Sequence, residues 1–228
     1  YRNRRIRALA SSEQHHRLIL ASGSPRRAEI LSESGIELDI VPAAVDEDSF
    51  FVRTGELSGV VQELALAKAV SIASRRSGEW VLGADTIVVL DGEVLGKPES
   101  SDQAVSMLRM LSGRSHVVIT GVAIVDPAGK SHTKHVSTSV IFRSLDDAEI
   151  AKYVSTGSPL DKAGGYGIQD GSFAPVASYD ECYLNVVGLP MCATGELLEL
   201  TGFVVPGGVA CRDHVGSRVP GLNDSRAL

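Results

Sequence analysis

Leu18-Ile19-Leu20-Ala21-Ser22-Gly23-Ser24-Pro25-Arg26-Arg27 runs from three aliphatic residues through a turn of small ones to a proline and two arginines. The aliphatic run reads as a buried strand and Ser22-Gly23-Ser24 as the turn. Pro25 reads as the first residue of a helix, where its missing N–H costs nothing and its fixed φ suits the geometry. Ser24 is then the N-cap. Free amides and the positive dipole end of a new helix favour an anion, and Arg26 and Arg27 bring guanidiniums suited to forked, charge-assisted bonds with phosphate. A capped helix with solvated arginines would use the same residues, so these ten positions leave both readings open.

Working outward, strand-like and helix-like segments alternate without a repeat. Residues 26–34 have helical spacing and stop at Gly35, and residues 36–41 read as a second strand. Residues 57–74 carry Leu57, Val60, Val61, Leu64, Ala65 and Lys68 in a 3.6-residue rhythm, the pattern of a long helix. Residues 80–90 form a near-continuous apolar strand, interrupted by Gly83-Ala84-Asp85-Thr86 and turned by Asp91-Gly92. Residues 101–111 are helical. Residues 116–125 and 135–142 read as an antiparallel pair joined through Asp126-Pro127-Ala128-Gly129. Residues 146–156 form a further helix, and residues 184–200 pass from an apolar, strand-like piece through Gly188-Leu189-Pro190 into a last helix. Such alternation predicts a layered α/β or α+β domain. Residues 1–16 are expected to be a flexible extension, 17–202 the domain, and 203–228 a disordered tail, since periodicity fades after Thr201.

The 228 residues, 43% hydrophobic, suffice for one good core. A net charge of −6 argues against non-specific nucleic-acid binding, which needs a basic face. Only 5% of residues are aromatic, too few for a base-stacking platform. Cys182, Cys192 and Cys211 are odd in number and lack CxxC spacing, so neither a disulfide framework nor structural zinc is indicated, and the cytoplasm is the expected compartment. No apolar run approaches the roughly 18 residues of a membrane span. The basic start lacks a signal-peptide core, so export is not expected.

Several residues carry chemistry. Asp85 lies in an aliphatic strand, where a carboxylate must be paired, bind metal, face a cleft from a strand end, or bond a local turn. Lys97 sits between Gly96 and Pro98, and Asp46-Glu47 offers a second carboxylate centre. Lys68 interrupts the small-residue face of the long helix, with snorkelling as the plainer reading. Asp161-Lys162-Ala163-Gly164-Gly165-Tyr166-Gly167-Ile168-Gln169 combines glycines that permit close backbone approach with side chains able to read a base or bind metal. Neither a dinucleotide GxGxxG fingerprint nor a P-loop is present. The cations suit a polyphosphate and the carboxylates a divalent ion, which together suggest phosphoryl or nucleotidyl chemistry.

Ala-Ser-Gly-Ser-Pro-Arg-Arg at 21–27, Val-Asp-Glu at 45–47, Gly-Ala-Asp-Thr at 83–86 and Gly-Lys-Pro at 96–98 occur in that order, followed by Leu-Ser-Gly at 111–113, Asp-Lys-Ala-Gly-Gly-Tyr-Gly-Ile-Gln at 161–169 and Asn-Val-Val-Gly-Leu-Pro at 185–190. This set resembles the Maf family of nucleoside triphosphate pyrophosphatases over about residues 17–201. Its Ser-Pro-Arg-Arg, Asp-Thr and Tyr-Gly-Ile-Gln versions are similar to the dTTP/UTP-hydrolysing branch. The resemblance implies an α/β fold with a mixed central β-sheet flanked by helices and two lobes around a nucleotide-binding cleft. It also implies a requirement for Mg²⁺ or Mn²⁺ and hydrolysis between the α- and β-phosphates. By the same resemblance, Asp85 would orient or deprotonate the attacking water, and Arg27, Thr86 and Gln169 would set nucleotide specificity. Ser24, Lys68 and Lys97 would hold phosphates, joined by Arg26 from the residue reading, and Glu47 would bind metal with Asp85. Asp170 departs from the pattern, following Gln169 where a glycine is usual. The implied partner is a nucleoside triphosphate, in a role of nucleotide-pool housekeeping, and a homodimer is compatible with the family. The competing readings are a pyrophosphatase for 7-methyl-GTP or another purine triphosphate, and a non-catalytic, nucleotide-binding regulator of septum formation. Gln169 argues against the first. Asp85 and the two lysines argue against the second, because a pure binding module gains nothing from a water-activating carboxylate beside phosphates.

Overall fold

In the computed structural model, which describes residues 17–51 and 56–208, β1 (Leu18–Leu20) is buried along its length and runs into the small-residue turn. α1 (Pro25–Glu33) starts on the proline, and the chain leaves it through Gly35 at a left-handed φ of 75°. β2 (Leu38–Ile40) returns parallel to β1. A short helix α2 (Asp48–Phe51) precedes the long helix α3 (Leu57–Ala73), which leads into β3 (Trp80–Leu90). The Asp91-Gly92 turn returns the chain as β4 (Glu93–Leu95), followed by α4 (Ser101–Leu111), whose first turn is capped by the Ser100 hydroxyl. β5 (Ser115–Val125) and β6 (Ser131–Phe142) form a hairpin. In its turn, one Asp126 carboxylate oxygen accepts from the amides of Ala128 and Lys130. α5 (Asp147–Val154) opens on a capping box between Asp146 and Glu149. Two 3-10 turns, Ser158–Asp161 and Ala163–Gly165, lead to β7 (Val176–Tyr179), α6 (Tyr183–Val187) and α7 (Met191–Leu200).

The sheet is mixed, in the order β2-β1-β3-β5-β6-β7, with β4 on the other end of β3's edge. β2, β1 and β3 are parallel neighbours, whereas β3, β5, β6 and β7 are antiparallel. Strand alternation sorts the core into two layers. Leu18, Leu20, Leu82, Ala84, Val122 and Ile124 pack with α1, α4, α5 and α7 on one face. Ile19, Val81, Ala123 and Val125 pack with Ala65, Ala69 and Ile72 of α3 on the other.

β3 is continuous through Gly83-Ala84-Asp85-Thr86, so the expected interruption is the middle of an 11-residue strand. The glycine is there for α3. A Cβ on Gly83 would stand 2.2 Å from the Ala65 carbonyl oxygen, and one on Gly121 of β5 would stand 2.3 Å from that of Val61. Two bare positions on adjacent strands let the backbone of α3 lie directly on the sheet.

Other readings need correction. The strand-like piece after 184 belongs to α6, a short apolar run being ambiguous between strand and helix. β7 lies in a stretch between 156 and 184 to which the sequence pattern assigns no strand. Just past the expected boundary at 202, Phe203 is 2% exposed and packed edge-to-face on Trp80 at 5.6 Å, and the Gly207 amide donates to the Ser34 carbonyl. The expected extension at 1–16, and the expected tail from 209 onward, lie outside the described residues. Neither Cys182 nor Cys192 is in a disulfide. Among the described residues, no helix is long and apolar enough to cross a membrane.

Candidate active site

The site follows from how short β1 and β4 are. β1 pairs with β3 only from Trp80 to Leu82, and β4 only from Val88 to Leu90. Between those ladders, residues 83–87 of β3 have no strand on that side, and the gap opens into a cleft of about 910 Å³. One wall is the Ser22–Arg27 turn with the start of α1, together with Glu47. The other is the Gly96-Lys97 loop with residues 161–169. A Gly164 N–H to Gly96 carbonyl bond of 3.0 Å ties the two halves of that second wall together. Every residue expected at the site lines this cleft: Ser24, Arg26, Arg27, Glu47, Lys68, Asp85, Thr86, Lys97 and Gln169.

Asp85 points to the α3 face. Its Oδ1 accepts from Lys68 Nζ at 2.7 Å, and the two side chains are each only 9% exposed. The same Nζ lies 2.6 Å from Glu47 Oε1. Lys68 is therefore a paired cation and not a snorkelling one, and it draws two carboxylates from distant segments onto one point. Burial pushes the Asp85 carboxyl above its usual range, against the pull of Lys68 and Arg27. Burial also acts to raise Glu47, but the hydrogen bond and charge of Lys68, with Lys97 and Arg27 adding, hold it below the usual range.

Thr86, the next residue, points to the opposite face and meets Arg27. The Arg27 guanidinium donates from Nε to the Gly188 carbonyl at 2.9 Å, from Nη1 to Ser22 Oγ at 3.0 Å and from Nη2 to Thr86 Oγ1 at 3.1 Å. Burial lowers its pKa, opposed by Asp85. With five N–H donors on a guanidinium, a donor remains on each Nη for a ligand. Thr86 Oγ1 lies 2.9 Å from Thr120 Oγ1 across the β3–β5 pair, and Thr120 donates to the Asn185 carbonyl. Ser22, Thr120 and the Gly188 carbonyl are site-building groups that sequence reasoning missed, although Asn-Val-Val-Gly-Leu-Pro was marked as a motif.

The two arginines differ in role. Arg26 Nη1 donates to Asp161 Oδ2 at 2.8 Å, bridging the mouth of the cleft, so its guanidinium is committed to the facing wall. Ser24 is the N-cap by backbone conformation, but its hydroxyl makes no capping bond, which leaves it and the first amides of α1 available to an anion. Lys97 and Gln169 are exposed within the cleft.

The carboxylates fit a divalent cation of the Mg²⁺ type, which is commonly held by one or two carboxylates with substrate phosphates and water completing the shell. Asp85 and Glu47 already converge on a single ammonium, so their geometry suits a shared cation. No cluster of three or more His, Cys, Asp or Glu suited to a metal exists among the described residues.

The family model described as Maf-like protein matches residues 17–201. This chain belongs to the Maf family. The Maf domain is 47% identical over 191 residues to the dTTP/UTP pyrophosphatase of Geobacter metallireducens, covering 83% of this chain and 98% of that one. It is also 47% identical over 194 residues to the protein of the same name from Moorella thermoacetica, covering 85% and 99%. Among solved structures, the dITP/XTP pyrophosphatase of Mycobacterium abscessus overlaps 55% of the Maf chain and 72% of its own, at a TM-score of 0.36 and 16% identity.

Proposed function

We propose that this Maf protein hydrolyses nucleoside triphosphates, dTTP and UTP foremost, to the nucleoside monophosphate and pyrophosphate. The observation that carries the reading is the convergence of Asp85 and Glu47 on Lys68, one residue along β3 from the Arg27–Thr86 pair, in one cleft. A hydrolytic carboxylate and a recognition surface thus share a substrate-sized space. The names of the relatives that cover nearly the full family region point the same way.

The triphosphate would lie along the first wall. The Ser24 hydroxyl and the first amides of α1 hold phosphate oxygens there, Lys97 reaches them from the second wall, and Lys68 lies at their inner end. Asp85 receives the proton of the attacking water and fixes its direction. The water oxygen bonds to the α-phosphorus as its bond to the bridging oxygen breaks, and the electron pair leaves on pyrophosphate. Burial raises the proton affinity of Asp85, which suits a base, and Lys68 and Arg27 pull against that rise. Asp85 and Glu47 would hold the divalent cation, which neutralises charge on the phosphates when bound. Arg27 is held rigid by three protein acceptors and keeps Thr86 in place, and the free amide of Gln169 faces the base from the second wall.

The test is pyrophosphate release by the purified chain against canonical, modified and 7-methylated triphosphates, with Mg²⁺ or Mn²⁺ and a chelator control. Metal-dependent release strongest with dTTP and UTP is expected. Strongest release with 7-methyl-GTP would overturn the base assignment, and binding without turnover would overturn the enzymatic one.

A further inference from the structure

The Asp170 carboxylate touches neither phosphate-binding residue nor β3, yet it is the hub of a closed polar network beneath the second wall. Its Oδ2 accepts from the Tyr153 hydroxyl and from Ser158 Oγ, the latter at 3.2 Å, and Lys162 Nζ stands 4.0 Å away. Lys162 is held in turn by the Ser158 carbonyl at 2.6 Å and by Asp161 Oδ1 at 2.8 Å. The Tyr153 hydroxyl has a second role, accepting from the Gly167 amide at 3.3 Å. One phenol therefore clips both ends of the short segment from Gly167 to Asp170, and the Asp170 amide closes it again on the Gly167 carbonyl at 3.1 Å. Gln169 rides at the exposed apex of this closed turn. Tyr153 cannot drift, because its ring stacks on Phe173 at 4.0 Å with an interplanar angle of 8°.

We infer that Asp170 is a positioning residue for base recognition: through Tyr153 it fixes the turn that aims Gln169 into the cleft. This rests on the role of Gln169 proposed above. A side chain that reads a base loses selectivity once its backbone can rotate, since a hydrogen bond fails within tenths of an ångström and tens of degrees. Ser24, at the start of α1, and Lys68, in α3, are not among the partners of Asp170 or Tyr153, whereas Arg26 is joined to the network through Asp161 and Lys162.

The experiment compares Asp170→Ala and Tyr153→Phe with the parent chain. Tyr153→Phe removes only the hydroxyl and keeps the ring on Phe173, so it serves if Asp170→Ala fails to fold. Steady-state kinetics with dTTP and UTP are measured beside inhibition by inorganic tripolyphosphate, a probe that has phosphates and no base. The expected result is a KM about tenfold higher for both nucleotides, the effect of one lost hydrogen bond, with kcat within about twofold and tripolyphosphate inhibition unchanged. A merely structural role would weaken tripolyphosphate by the same factor, and that result would overturn the inference. Gln169→Ala separates the two readings. If it raises KM while Asp170→Ala and Tyr153→Phe do not, Asp170 loses its role alone. If none of the three changes KM, the base-reading role of Gln169 falls with it.

Discussion

Replacing Gly83 by alanine tests how the site is built. The added Cβ would stand 2.2 Å from the Ala65 carbonyl oxygen and 2.8 Å from the Ala69 amide nitrogen, both backbone atoms of α3. Ordinary contact needs roughly 3.5 Å, so the helix must retreat by about 1 Å. Lys68 sits between those two positions, and its 2.7 Å bond to Asp85 would stretch past the limit of a hydrogen bond. Overpacking of this kind costs about 1–3 kcal/mol. Because the obstruction is backbone and a buried ion pair is disturbed with it, we expect the upper end, about 3 kcal/mol, or a fall in Tm of about 10 °C. A misplacement of about 1 Å in the catalytic geometry can cost about a hundredfold in rate, and kcat should fall to that extent. Denaturant unfolding and steady-state kinetics on the same preparation measure both. Gly59, also in α3, has nothing within 4 Å of its would-be Cβ, so Gly59→Ala should instead raise stability by up to about 1 kcal/mol. If Gly83→Ala unfolded at the parent midpoint and turned over at the parent rate, the close seat of α3 would not be what places Lys68.

Two further predictions concern titratable groups. Asp85→Asn should lower kcat by about 10²–10⁴-fold, the usual contribution of a positioned base. Dye or calorimetric binding of triphosphate should change little, and stability should fall by only about 1 kcal/mol, because Glu47 and the new amide oxygen still accept from Lys68. His116, 3% exposed beside Tyr166 and Phe142, has its pKa lowered by burial from 6.5 to about 4. The unfolded chain then binds a proton that the folded one refuses, so this stability is present above pH 6.5 and is lost as pH falls toward 4. The shift corresponds to a loss of about 3 kcal/mol across that window. Unfolding free energies measured across it should show the fall in the parent and not in His116→Gln, and equal slopes in both would refute the assignment.

Where local pattern is strong, the sequence already shows the structure. The apolar run at 80–90 and the Ser-capped helix at 101–111 have the boundaries expected of them, and Asp85 and Lys68 stand out as polar residues in apolar surroundings, whereas Glu47 is legible only as one of a pair of loop acids and through the family resemblance. What stayed hidden depends on partners far along the chain. The Gly188 carbonyl reaches Arg27 across 161 positions, and a backbone oxygen carries no side-chain signal. Gly83 read as a break because a missing side chain looks alike whether it ends a strand or admits a helix, and only the packing of α3 decides between them. The hairpin strand begins at Ser131, ahead of the expected 135, because full pairing with β5 overrides the polar character of its first residues.

Consecutive residues of β3 serve opposite sides of a wall one strand thick: Asp85 belongs to the α3 side and Thr86 to the side of Arg27 and Gly188. On the roles proposed above, the sheet would partition the enzyme's two tasks. Mutations that retune which base is accepted could then accumulate around Thr86, Ser22 and Thr120 without reaching the side chains that hold Lys68, and the hydrolytic half could be inherited intact while preference drifts. The same adjacency makes the wall intolerant of length changes: a single residue gained or lost between Leu82 and Asp85 would invert the pleat and exchange the two tasks' side chains.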